Sequence, residues 1–326
     1  MTSIDAIISV VKDDLDRVER ELYVCIAGHL ELIKEVSNYV LSSGGKRFRP
    51  LVLLLAARLC NYRGDNHIPL SCVVEYIHTA TLLHDDVIDH AQIRRGNSSA
   101  NTLWGNHTTI LVGDFLLSKS FSLAVEYGNA EILRVLSRTA TLMVEAETLQ
   151  MQHARNPLLS EEEYLQIITK KTATLISAAA QIGGILAGVS SAREQALADY
   201  GMNVGIAFQI MDDVLDYAST EHDLGKTIGK DLQEGSITLP FIEALQRSSD
   251  SEKKIMTELI CREEELQPGD IAVILDIINK YEGNRLAVEK AQGYIRKAEE
   301  ALQAFDGSAH RTLLSDLARY VAERTS

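Results

Sequence analysis

Two short acidic sets constrain this chain more than any other feature: Asp85-Asp86-Val87-Ile88-Asp89 and Asp212-Asp213-Val214-Leu215-Asp216. Each is a D-D-x-x-D pattern placed in a strongly apolar run that suits a helix. Thr79-Ala80-Thr81-Leu82-Leu83 leads into the first and Ile206-Ala207-Phe208-Gln209-Ile210-Met211 into the second. On a helix, residues three and four apart are neighbours, so Asp85, Asp86 and Asp89 fall within one arc of the surface. Carboxylates this close repel one another, and burying one unpaired costs several kcal/mol, roughly. A merely solvated acidic face would not be embedded in apolar flanks, so something positive must sit among the acids. Magnesium is the natural candidate, a hard cation that takes one or two carboxylates together with substrate phosphates. Two sets of identical spacing, far apart in sequence, suggest two helices facing each other across one cavity.

The rest of the chain supplies helices to carry them. Five prolines in 326 residues, 6% aromatic residues and abundant Ala and Leu favour helix over sheet. Ile4, Ile7, Ile8, Val11, Leu15, Val18 and Leu22 recur at helical spacing, and residues 4–41 read as helices. A Gly-Gly turn at 42–50 leads to a helix over 51–60, a polar turn over 61–69 and a long apolar helix over 70–90. The basic turn Arg94-Arg95-Gly96-Asn97 follows. Further helices are expected over 108–127, 130–152, 161–188 and 191–217, and Ser160 with Glu163 makes a capping box for the third of these. A polar, Gly-rich loop over 218–236 precedes a helix over 238–247. From about residue 248 the chain is amphipathic helix without recognisable chemistry. No strands alternate with turns and no repeat of fixed period occurs. The expected architecture is all-α, one domain over residues 1–326.

Charge and cysteine content narrow the function classes. A net charge of −14 argues against a nucleic-acid partner, which needs a broad basic surface. Cys25, Cys60, Cys72 and Cys261 show no C-x-x-C pairing and read as free thiols of a reducing compartment. The opening Met1-Thr2-Ser3-Ile4-Asp5 has neither a basic lead nor an Arg-rich amphipathic pattern, so a cytoplasmic location without a targeting peptide is expected. No run of 18 apolar residues occurs; residues 174–189 come closest and are broken by Gln181, Gly183 and Gly184.

Cations stand next to the acids. Arg94 and Arg95 lie just beyond the first set and Lys226 just beyond the second, while Lys46 and Arg49 follow Gly44-Gly45. Arg beside Gly in a short turn makes a fork for diphosphate oxygens, and Lys a point charge. Carboxylates, a metal and several cations describe a site that binds diphosphate and stabilises it as a leaving group. His78 precedes Asp85 by two helical turns on the same face and reads either as a core histidine or as a donor to a second anionic ligand. Lys171, Thr172 and Gln209 are odd on apolar helices unless they point into a polar cavity.

These residues resemble a known family, the trans-type polyprenyl diphosphate synthases, whose fold is an all-α bundle of the isoprenoid synthase type around a central cavity. The likeness spans about residues 30–245 and is greatest to bacterial long-chain members, the octaprenyl diphosphate synthases. It rests on Gly44-Gly45-Lys46-Arg47-Phe48-Arg49-Pro50, on the run from Ile77-His78 to Asp89, on Arg94-Arg95-Gly96, and on Phe208-Gln209 through Asp216. The resemblance implies repeated condensation of isopentenyl diphosphate onto an allylic diphosphate such as farnesyl diphosphate. Asp85, Asp89 and Asp212 would hold magnesium ions on the allylic diphosphate, supported by Asp86, Asp213 and Asp216. Arg94, Lys171 and Lys226 would contact that diphosphate, and Lys46, Arg49, His78 and Arg95 would hold isopentenyl diphosphate. Thr172 and Gln209 would line the cavity near the developing positive charge. The resemblance also implies a homodimer, and the apolar product implies peripheral membrane association for its release.

One position departs from the family pattern. Ser236 stands where the family usually has Lys, and Lys230 where Asp is common, so the loop either borrows charge from Lys230 or closes differently. The small pair Ala80 and Thr81, with Ile77 one turn deeper, replaces the aromatic by which short-chain members block the product's path. A long product of ~C30–C50, with C40 the best single value, is therefore expected, with Met143, Leu136 or another bulky side chain of residues 130–152 as a floor. A class I terpene cyclase would carry a different second motif, and a non-catalytic partner subunit would have lost part of an aspartate set.

Overall fold

The protein is represented by a computed structural model that describes residues 4–218, 229–262, 264 and 266–323. Among these the architecture is all-α apart from one two-residue hairpin. In order, the helices are α1 (Ile4–Val10), α2 (Lys12–Ala27), α3 (Glu31–Ser42), α4 (Phe48–Leu59) and α5 (His67–Ile88). Strands β1 (Ile93–Arg94) and β2 (Asn97–Ser98) intervene. Then follow α6 (Ala100–Tyr127), α7 (Ala130–Gln152), α8 (Glu161–Ile168), a π-helical turn (Thr169–Ala173), α9 (Thr174–Leu186) and α10 (Ser191–Ala218). The last group is α11 (Lys230–Gln233), α12 (Leu239–Arg247), α13 (Asp250–Ile260), α14 (Pro268–Lys280), α15 (Gly283–Ala301) and α16 (Ala309–Glu323).

The chain packs as two compact units, each gathered from three stretches: 1–140, 175–201 and 302–317 in the first, and 141–174, 202–301 and 318–326 in the second. In the first unit α5 is the central element, flanked by α2, α4 and α6. Its residues 67–77 are buried without exception, as a helix apolar on all sides requires. Pro69 falls in its first turn, where a missing N–H costs nothing. The hydroxyl of Tyr76, fully buried, donates to the Leu22 carbonyl at 2.5 Å and ties α5 to α2.

Three local features differ from the sequence expectation. The basic turn is a hairpin, Ile93 opposite Ser98 and Arg94 opposite Asn97. Arg95 (φ 51°) and Gly96 (φ 78°) both take the left-handed conformation demanded by a two-residue hairpin turn of this hand. Helix α6 starts at Ala100, earlier than its apolar pattern suggests, and breaks direction at Gly105 (φ 77°, ψ 162°). The helix expected over 161–188 is divided by the π-helical turn.

Gly183, which interrupts the apolar run of α9, does not kink the helix. A Cβ there would lie 2.7 Å from the Ala57 nitrogen and 2.9 Å from the Leu53 carbonyl oxygen, so its absence lets α9 rest directly on the backbone of α4. In the second unit α12 is held by α8, α13, α14 and α15. The Lys290 ammonium on α15 pairs with Glu161 on α8 at 2.6 Å and with the buried Glu243 on α12. The capping box at the start of α8 forms as expected: Ser160 Oγ accepts from the Glu163 N–H, and Glu163 accepts from the Ser160 N–H at 2.9 Å.

Gly183→Ala should lower the urea unfolding free energy by about 1–3 kcal/mol, the usual cost of overpacking a close helix contact. Gly293→Ala, in α15 where only the tip of Arg296 is near, should be neutral or stabilising by ~0.5–1 kcal/mol. Equal stability of Gly183→Ala and the unaltered protein would contradict the contact.

Candidate active site

The first unit builds a cationic cluster from three elements. The turn before α4 contains Gly44 (φ 87°), Gly45 (φ 146°) and Arg47 (φ 45°), so the chain reverses through three left-handed positions. Arg47 accepts that conformation because its nearly buried guanidinium is held on every side. It pairs with Glu19 of α2, with Glu75 of α5 at 3.0 Å, and donates to the Leu41 carbonyl at 2.7 Å. Lys46 is thereby left exposed on the turn, and Arg49 half-buried in the first turn of α4. From the hairpin, Arg95 donates to the Gly44 carbonyl, and its guanidinium lies 3.1 Å from where a Gly45 Cβ would be. A side chain at 45 would displace it, which is a physical reason for the second glycine.

His78 lies among these cations, one turn beyond Glu75 on α5. Its removal from water, reinforced by Arg49, Arg95, Arg94 and Arg47, holds its pKa well below the ordinary histidine value, so the ring is neutral. Burial also lowers the Arg95 pKa, against Glu75, which raises it. Four guanidinium groups and one neutral imidazole form an environment that an anionic ligand would relieve.

The first aspartate set begins two turns further along α5. Asp86 is buried and paired with the Arg94 guanidinium of the hairpin, and its backbone carbonyl accepts from Asn101 Nδ2 at 3.0 Å. Asp85 is half-buried and Asp89 exposed at the C-terminal cap of the helix. Thus the Arg94 charge is matched by the Asp86 carboxylate.

In the second unit the second set is likewise divided. Asp213 is buried on α10. Its carboxylate accepts from the Tyr164 hydroxyl at 2.6 Å and from Gln209 Nε2 at 2.8 Å, while Gln209 Oε1 accepts from the Thr172 hydroxyl at 2.8 Å. Burial raises the Asp213 pKa to about 7, Asp212 and Asp216 add to the rise, and the Tyr164 and Gln209 donors oppose it. Asp216 accepts the backbone N–H groups of Lys230 at 3.2 Å and Asp231 at 3.0 Å, so it caps the short helix α11. Asp212 is half-buried.

Lys171 and Thr172 sit in the π-helical turn, a distortion that often marks functional positions. The Lys171 ammonium contacts Glu147 at 2.7 Å and Gln150 Oε1 at 2.8 Å. Gln150 Nε2 reaches Ser236 Oγ at 3.5 Å, so the departing loop position lies beside the neighbourhood of Lys171. The Lys230 ammonium pairs with Glu234 at 2.8 Å on an exposed surface and supplies its backbone N–H, not its charge, to Asp216. Lys226 lies outside the described residues.

Among the described residues no three carboxylate, imidazole or thiol groups come close enough to hold a metal unaided. Oxygen donors offered singly or in pairs still suit magnesium, which keeps waters and takes its remaining ligands from phosphate. Sequence inspection missed Arg47, Glu75, Tyr164, Glu147 and Gln150. Only Glu75, an acid in an otherwise apolar run, carries a visible signal.

Comparison with known proteins bears on this arrangement. Residues 30–278 match the family described as polyprenyl synthetase. The chain is 35% identical over 326 residues to octaprenyl diphosphate synthase of Escherichia coli K12, covering 99% of each. It is 36% identical over 319 residues to an all-trans-nonaprenyl-diphosphate synthase of Rhodobacter capsulatus, covering 98% of this chain and 97% of that one. A polyprenyl synthase of Caulobacter crescentus CB15, solved with calcium and isoprenyl diphosphate, superposes with a TM-score of 0.95 at 37% identity, covering 100% of this chain and 99% of that chain. With both aspartate sets, the Gly-Gly-Lys turn and the Arg-Arg-Gly hairpin in place, the chain belongs to the polyprenyl synthetase family and is a prenyltransferase.

Proposed function

We propose that this enzyme adds isopentenyl units repeatedly to an allylic diphosphate, farnesyl diphosphate being the expected primer, to give an all-trans polyprenyl diphosphate of about C40. The observation that carries the proposal is the guanidinium cluster around neutral His78, two turns from Asp85 on the same helix. It offers one diphosphate a metal-free seat of Arg49, Arg95, Lys46 and His78, beside a carboxylate set suited to a metal-bound diphosphate.

Asp85, Asp89 and Asp212 would hold magnesium, with Asp86, Asp213 and Asp216 in support. When bound, the metal supplies Lewis-acid stabilisation to the leaving diphosphate. Arg94, Lys171 and Lys226 add fixed charge to the same group. The allylic C–O bond breaks, the isopentenyl double bond forms the new C–C bond, and the proton lost from the isopentenyl unit passes to the departing diphosphate. The protein's own contribution is position and electrostatics, with Thr172 and Gln209 beside the developing cation. The relatives' named products differ in length, so length is read from this chain. Ala80 is buried and Thr81 turns its hydroxyl back to the His78 carbonyl at 2.8 Å, leaving no bulky group at either place. Ile77 is buried one turn deeper.

Dimerisation belongs to the same proposal. Two apolar stripes, residues 71–88 and 108–121, could supply the interface; residues 71–77 are buried in the first unit's core, whereas Ile110 and Leu111 in the second stripe are exposed. A product this long partitions strongly into lipid, at ~0.8 kcal/mol per CH₂, which supports release at a membrane surface.

Purified protein with magnesium, isopentenyl diphosphate and farnesyl diphosphate should give polyprenyl diphosphates centred near C40 by mass spectrometry. Absence of elongation would support the partner-subunit alternative, and a hydrocarbon product the cyclase. Ala80→Phe should leave elongation intact and shorten the main product by several isoprene units; an unchanged product distribution would contradict the length assignment.

A further inference from the structure

Tyr164 has no place in the scheme above, yet it is 2% exposed and its hydroxyl is spent on one contact, the 2.6 Å donation to Asp213. The hydrogen bonds beyond that contact have a fixed direction. Asp213 accepts from Tyr164 on one oxygen and from Gln209 Nε2 on the other. Since Gln209 must present its NH₂ to Asp213, its carbonyl oxygen is turned the opposite way, where the Thr172 hydroxyl donates to it at 2.8 Å. The orientation of the Gln209 amide is therefore set from both ends.

The backbone is built to bring Tyr164 and Thr172 to one network. Eight residues apart on a regular α-helix they would diverge by about 80°, at roughly 100° per residue. The extra residue accommodated by a π-helical turn removes one such step and brings them within about 20° of the same face. Tyr164 itself stands on a rigid base: the Ser160–Glu163 capping box fixes the start of α8, and Lys290 holds Glu161 at 2.6 Å.

We propose that Tyr164 is a positioning residue for prenyl transfer: its hydroxyl anchors the Asp213 carboxylate, which in turn holds the Gln209 carbonyl toward Thr172 and the developing allylic cation. The inference rests on the proposed placing of Thr172 and Gln209 beside that cation. Tyr164 acts through two intermediaries and touches no substrate. Its loss should therefore reduce turnover without loosening the isopentenyl diphosphate seat, which belongs to the other unit.

The test is a double-mutant cycle on the steady-state addition of isopentenyl diphosphate to farnesyl diphosphate. Tyr164→Phe, which deletes only the hydroxyl, should lower kcat roughly tenfold, the scale of a hydrogen bond to a charged group, with KM for isopentenyl diphosphate unchanged within twofold. Gln209→Ala should lower kcat as well, and the double variant should be no slower than Gln209→Ala alone. Thr172→Val provides a second cycle should Gln209→Ala fold poorly. Multiplicative losses in both cycles, an unaltered kcat in Tyr164→Phe, or a loss confined to KM for isopentenyl diphosphate would overturn the inference. If the unaltered protein performs no transfer, the proposed function fails instead, and the two failures are thus distinguished.

Discussion

The central constraint in this protein is the crowding of like charge around His78. Removal from water is the main cost of protonating it; Arg49, Arg95, Arg94 and Arg47 add to that cost, and none of these guanidinium groups can shed its proton. Carboxylates are packed with the cluster: the buried Glu75 and the half-exposed Glu19 hold Arg47, and the buried Asp86 holds Arg94. These pairs are worth less as stabilisation than as placement, since desolvating each charge offsets much of the attraction. Their consequence is local: the turn that carries Lys46 and the hairpin that carries Arg95 are held in place, and Arg95 reaches the Gly44 carbonyl. That preorganisation is what an electrostatic catalyst needs.

The two aspartate sets show the same division of labour. In each, part of the set serves the protein: Asp86 binds Arg94, Asp213 accepts from Tyr164 and Gln209, and Asp216 caps α11. The D-D-x-x-D pattern thus supplies structural supports, beside the carboxylates Asp85, Asp89 and Asp212 that are proposed to hold metal. Substitutions at Asp86, Asp213 or Asp216 will therefore mix loss of chemistry with loss of local structure, which simple activity assays cannot separate.

Much of this was legible in the sequence. Helical periodicity gave α7 and α10 nearly residue for residue and α5 to within three residues at its start and two at its end, and the Ser160–Glu163 pattern gave the start of α8. Apolar flanks around the acids pointed to buried carboxylates, and one member of each set is buried: Asp86 meets the Arg94 guanidinium, whereas Asp213 meets the neutral donors Tyr164 and Gln209. The π-helical turn was not legible, since Thr169–Ala173 has the composition of ordinary helix and only packing distinguishes it. The hairpin escaped because two-residue strands lack a period. Arg47 escaped for a different reason: a positive φ at a residue other than glycine has no sequence signature, and only its three partners explain it. The division between Asp85 and Asp86 also follows from which side of α5 meets the hairpin, a tertiary fact.

On the proposed function, the guanidinium cluster is a complete anion seat without metal, whereas the aspartate sets bind diphosphate only through metal. Isothermal titration calorimetry with isopentenyl diphosphate and with a non-reactive allylic thiolodiphosphate, each with magnesium and with chelator, tests it directly. Isopentenyl diphosphate should bind with similar affinity in both conditions, and the allylic analogue should bind only with magnesium. Loss of isopentenyl diphosphate binding in chelator, or metal-independent binding of the allylic analogue, would contradict the claim.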